Sequence, residues 1–189
     1  LFRRILTEAV QFAPVITLAS SFLLAGSVDL EKAGTLFVIS GVGAVVITAL
    51  LACKRVLLNP VLLGTNLWLV IGAFAFGFSI PSLSRITAQM AASGLFGCVF
   101  VLGAVMTFSL RTGFVGMDIP DRGAVIRLSL ILLAFTGIAL ILSWVFRDNI
   151  RLGGGLPFIL LNIIRRMMIR RYSKSQLQEF NKDGGRFRS

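Results

Sequence analysis

The chain has 189 residues, of which 56% are hydrophobic and only 14% charged, and its mean hydropathy is +0.89. Ordinary soluble domains carry about 25% charged residues, so the composition excludes that class and points to a membrane protein. The formal charge of +11 sits between and after apolar runs. That arrangement orients spans and meets anionic headgroups, and it argues against a nucleic-acid partner.

Each crossing needs about 20 predominantly apolar residues, so a chain of this length holds five or six spans on short connections, as one membrane domain. The first expected span, 9–26, carries Pro14 in its first third, where neighbouring helices can satisfy the freed carbonyl. Asp29 and Glu31 follow it where a cleavage site would need small residues, so the run is read as a span and not as a signal peptide. Ahead of it, Arg4 and Glu8 stand at helical i, i+4 spacing, with Gln11 three residues on. An ionisable group in a membrane is a functional candidate, while an interfacial anchoring pair is the plainer reading.

The second span, 33–53, contains Gly34, Gly41 and Gly43, small residues that let another helix come close. Cys53 closes it and Cys98 lies inside a later run. The two have no metal-site spacing and are expected to pack as small apolar residues. The connection 54-KRVLLNP-60 is short and basic, and Pro60 suits the first turn of the helix it enters.

In the third span, 61–78, Thr65 and Asn66 offer either a hydrogen bond to a neighbouring helix or a polar site within the bundle, and the packing role is preferred. Further along, Ala73 and Gly77 lie four apart on one face. The fourth span, 90–110, repeats this spacing with Ser93 and Gly97 and with Gly94 and Cys98. Gly41, Ala73, Gly77, Ser93, Gly94 and Gly97 are therefore the expected helix-packing positions.

The connection 111-RTGFVGMDIPDRG-123 carries both signs of charge. Asp118 and Asp121 invite comparison with a divalent-cation site, but two carboxylates without further acidic partners make a poor one. Capping of the next helix by one of them, with Pro120 setting the turn, is expected instead. The fifth span, 124–146, ends near Trp144, a residue favoured at the membrane interface.

The last apolar stretch, 151-RLGGGLPFILLNIIRRMMIRRY-172, admits two readings. Its uninterrupted part, 152–164, gives only ~20 Å of helix, and extension to 169 gives ~27 Å, provided that Arg165 and Arg166 snorkel to the interface. It is either a short sixth span or an amphipathic helix on the surface. Basic residues in short cytoplasmic connections set orientation, and with six spans 15 of the 19 fall on one side, leaving Lys32, Arg85, Arg147 and Arg151 on the other. With five spans the tail and the short connections favour opposite orientations.

The expected fold is thus an all-α integral membrane protein, a bundle of six transmembrane helices (five if the last is interfacial), with both termini cytoplasmic. The spanning domain covers 1–172, and a basic polar tail, 173–189, follows and is expected to be flexible. Arg165, Arg166, Arg170, Arg171 and Lys174 are the expected contacts with anionic lipid headgroups or a protein partner. The chain has no histidine, and none of the common soluble-enzyme motifs is present. No cofactor or metal is expected, and the expected role is non-enzymatic.

Three segments, 54-KRVLLNPVLLGTNLWLVIGAFAFGFS-79, 117-MDIPDRGAVIRLSLILLAFTG-137 and 144-WVFRDNIRLGGGLPFILLNIIRR-166, together resemble the bacterial intracellular septation protein A family. The nearest features are the Pro-Asp turn leading to Arg127-Leu128 and the aromatic and basic connection 144–151 before a glycine-containing last span. A Gly-Lys-Pro-like element typical of the family is replaced by 110-LRTG-113, an aromatic near the turn is missing, and the basic tail is longer. The resemblance implies a small non-enzymatic protein of the bacterial inner membrane, linked to cell-envelope integrity and division and acting by contacts with other envelope proteins. Two other classes remain: an accessory subunit of a larger transport or energy-converting complex, and a small transporter or channel. The last ranks lowest, because no buried charge marks a path.

Overall fold

The computed structural model describes residues 13, 14, 16, 30–54, 59–117, 121–147, 149 and 151–186, with backbone alone at 30–33, 91 and 173–186. Apart from Ala13, Pro14 and Ile16, the first expected span lies outside the described residues, as do Arg4, Glu8, Gln11 and Asp118. Everything described is helix or connection. The elements are α1 (Leu30–Cys53), α2 (Pro60–Gly77), α3 (Pro81–Ser109), α4 (Arg122–Val145), a π turn (Arg151–Gly155) and α5 (Leu156–Arg186).

Among the described residues, five segments are long and apolar enough to cross a membrane: Gly34–Cys53, Pro60–Gly77, Ala92–Ser109, Arg122–Val145 and Arg151–Tyr172. A helix satisfies its own backbone polar groups, which is why apolar runs of this length adopt it in lipid. The outward faces are apolar as well, with Val42, Val101, Ile138 and Ile141 among the exposed side chains.

Local signals set the helix ends. Asn59 caps α2, its Oδ1 accepting from the Val61 N–H at 3.1 Å, and Pro60 occupies the first turn where its missing N–H costs nothing. Asp121 caps α4 in the same way, accepting from the Gly123 N–H at 2.8 Å. Between α2 and α3 the chain reverses in a tight turn. There Ser79 takes a φ of 51°, Ser79 and Ile80 donate back to the Phe76 and Ala75 carbonyls, and the Ser84 hydroxyl also donates to Ala75.

Each helix packs on the one before it, α1 on α2, α2 on α3, α3 on α4 and α4 on α5. One core joins Val61 of α2, Phe96 and Val99 of α3, Leu132 and Ala139 of α4 and Leu161 of α5. A second, built on Phe37 and Ala44 of α1 with Trp68 and Leu69 of α2, also draws in Leu95 and Cys98 of α3.

The last apolar stretch packs antiparallel along α4. Gly153 rests on the backbone of Ser143 and Phe146, Leu161 shares the core with Leu132 and Ala139, and Ile169 and Tyr172 pack with Val125 and Leu128. From Ser143 to Val125 is ~27 Å of helix at 1.5 Å per residue. Beyond Tyr172 the expected flexible tail is instead a continuation of α5 to Arg186. Helix propagation costs far less than nucleation, and a helix that has already formed supplies the nucleus for Lys, Gln, Leu and Glu residues of good helix propensity.

Candidate functional site

The most distinctive construction lies at the end of the bundle where α3 leaves and α4 begins. The connection there, 111–117, is not a surface loop but folds inward. Gly113 and Gly116 take φ values of 59° and 70°, which a side chain disfavours. The Gly116 and Met117 N–H groups donate back to the Thr112 carbonyl at 3.1 and 3.2 Å, closing the loop on itself. Between the two glycines, Phe114 and Val115 are both fully buried.

Phe114 joins the core with Val61, Phe96, Val99, Leu132 and Leu161, its ring against Gly103 of α3. Val115 packs with Val125, Met117, Leu128, Ile169 and Tyr172. Its backbone is held from two sides: the Val115 N–H donates to Ser129 Oγ of α4 at 3.2 Å, and the Val115 carbonyl accepts from Arg165 Nε of α5 at 3.2 Å. Non-helical backbone inside a bundle survives only when its polar groups find partners in the protein, and a buried group left unpaired costs about 1 to 3 kcal/mol. Ser129 and Arg165 therefore make the inward loop affordable and tie three segments together.

This geometry divides the expected basic set. Arg165 is half-buried and turned inward to Val115, whereas Arg166, Arg170 and Arg171 are exposed; the side chain of Lys174 lies outside the described residues. Lys54, Arg111, Arg122 and Arg127 are exposed at the same end. There the Arg122 guanidinium donates to the Phe108 carbonyl at 3.1 Å, linking the start of α4 to the end of α3.

The expected packing positions fall into two groups. Gly41 faces Ala73 and the Leu69 carbonyl, so a side chain at Gly41 would collide with both, and Gly94 faces the Trp68 indole. Ser93 is buried, its hydroxyl donating to the Met90 carbonyl at 2.5 Å. Gly77 and Gly97 have more room among the described residues. A Cβ at Gly77 would meet only Val38 Cγ2, at 3.8 Å, and one at Gly97 would meet nothing within 4 Å among the described residues. Small-xxx-small spacing marks a side of a helix but not the level at which a neighbour crosses. On α3 that level is set by Val99, whose backbone meets Gly64, a position the spacing did not single out.

Two polar residues, Asn66 of α2 and its cap Asn59, contact other helices. Asn66 Nδ2 donates to Thr48 Oγ1 of α1 at 2.9 Å, while its Oδ1 is buried with no hydrogen-bond partner among the described residues; Thr65 donates to the Val61 carbonyl of its own helix. Asn59 Nδ2 donates to Asn162 Oδ1 of α5 at 3.4 Å. Thr107 and Thr136 likewise return their hydroxyls to carbonyls one turn back. Both cysteines are free thiols, and no group of three or more His, Cys, Asp or Glu residues that could hold a metal occurs among the described residues.

The sequence did not reveal Phe114, Val115, Ser129, Asn59 and Asn162 as structural pivots. The available signal was the pair of apolar residues between two glycines in 113-GFVG-116, an unusual content for a solvated connection. Comparison with protein-family models, with curated proteins and with solved structures finds no match in any of the three.

Proposed function

We propose that this is a six-span scaffold of the bacterial inner membrane, with its basic end in the cytoplasm, acting through helix contacts with other membrane proteins. The observation that carries the reading is the division of the bundle into a filled interior and apolar outer faces. Phe96, Phe114, Leu132 and Leu161 close the centre, while Val101, Ile138, Ile141 and Ile159 point outward where lipid or a partner helix would lie. A filled interior disfavours the channel reading. The antiparallel run of α5 along α4 supports a crossing sixth span over a surface helix, since a helix lying flat would diverge from α4. The resemblance to the septation protein A family adds a link to the cell envelope and division.

A second reading, an accessory subunit of a larger membrane complex, is favoured by one feature. The helical continuation to Arg186 extends ~21 Å past Tyr172 by the helical rise, a length that would suit docking. Co-purification in mild detergent separates the two. The scaffold reading expects several envelope partners at substoichiometric levels, and a single large complex of fixed stoichiometry would overturn it in favour of the subunit.

A further inference from the structure

The outward face of α5 combines two properties that the inward Arg165 does not share. At 100° per residue, Leu156, Ile159, Ile163, Arg166 and Arg170 fall within one arc of about 80°. All five are exposed, Ile159 at 59% and Ile163 at 46%. The arc opposite holds Leu161, Arg165 and Tyr172, which pack on the core and the inward loop. The face therefore reads, from the middle of the span to its basic end, as an apolar strip with arginines directly above it, and the exposed Arg171 flanks them.

We infer that this face is a binding site for an anionic phospholipid. One acyl chain lies along Leu156, Ile159 and Ile163, and the phosphodiester is held by Arg166 and Arg170, one helical turn apart, with Arg171 beside them. Guanidinium groups suit this role because they match phosphate oxygens through paired N–H donors. The match is one of charge as well as shape, since an apolar strip accepts an acyl chain or a helix equally well and exposed arginines directly above it favour an anionic headgroup. Arg165 has no part in the site, because its Nε is committed to the Val115 carbonyl. The inference rests on the proposal that α5 crosses the membrane, and it adds the class of ligand.

The test uses the full chain in vesicles, with Ile159→Trp as a reporter and Trp144→Phe removing the exposed native indole; Trp68 stays buried in the core. Quenching is measured with brominated phosphatidylglycerol and with brominated phosphatidylcholine. The site predicts a preference for phosphatidylglycerol of at least about fivefold, the factor expected from one basic residue at an anionic surface. It also predicts that Arg166→Gln with Arg170→Gln reduces this preference towards unity, and that Arg165→Gln leaves it intact. No preference in the parent protein, or equal loss with Arg165→Gln, overturns the site. Quenching by neither lipid also overturns it, and means that a protein surface covers the face. The crossing reading is checked separately by bromine depth. Stronger quenching from deep than from shallow bromines fits a crossing helix, and the reverse defeats that reading whatever the lipid preference.

Discussion

Arg165 and Arg166 are neighbours in sequence with the same charge and the same distance from the apolar run, so any account based on charge alone treats them as equivalent. The structure separates them. Arg165→Met removes the donor to the buried Val115 carbonyl while keeping the length of the side chain; glutamine would not serve, since its amide nitrogen occupies the same ε position as the donating Nε. The cost of an unpaired buried carbonyl is about 1 to 3 kcal/mol, with hydrogen bonds from charged donors at the upper end, so about 2 kcal/mol is expected. Arg166→Met changes an exposed residue, and substitutions at exposed positions are usually within about 0.5 kcal/mol. The assay is reversible unfolding of the purified protein in mixed micelles against increasing sodium dodecyl sulfate. Arg165→Met should lower the stability by about 1.5 kcal/mol more than Arg166→Met, and Ser129→Ala, which frees the Val115 N–H, should resemble Arg165→Met. Equal shifts for the two arginines would refute the clasp.

The same unfolding assay reads three further changes. Phe114→Ala opens a cavity in the core and should cost about 3 to 5 kcal/mol; a cost typical of an exposed loop residue would mean that the loop does not fold inward. Gly41→Leu and Gly94→Leu should each destabilise strongly, because the added side chain meets Ala73 or Trp68, whereas Gly97→Leu should be tolerated. A severe effect at Gly97 would show that a neighbour lies there. Thr48→Val should cost more than Asn66→Leu, since the first strips the buried Asn66 amide of its bond to Thr48 while the second removes the buried amide itself; the reverse order would count against the Asn66 bond.

What was legible in the sequence was what depends on local chemistry and on the length of apolar runs. Asp121 and Pro60 perform the capping and first-turn roles that their types predict, whereas the helix that holds the expected fourth span begins at Pro81, nine residues before the apolar run expected from 90. Gly41 and Ala73 were both readable as packing positions, but their pairing across α1 and α2 depends on the level of crossing, which no single helix encodes. The inward loop was hidden for a related reason. Arg111 and the acidic residues after Met117 suggest a solvated connection, and only the neighbours on α4 and α5 show that Val115 has partners deep enough to keep it inside. For Arg165, sequence supplied the charge and structure supplied its direction. The continuation of α5 beyond Tyr172 was obscured by composition, since a polar segment without an apolar face can still extend a helix that is already nucleated.

The central claim, that the last helix crosses and carries the basic end into the cytoplasm, is tested most directly by the location of the C-terminus. A cysteine introduced at Ser189, in a chain with Cys53 and Cys98 replaced, is treated with a membrane-impermeant thiol reagent in intact cells and in inverted vesicles. The account predicts protection in cells and labelling in inverted vesicles; labelling in intact cells, with protection in the vesicles, would contradict it.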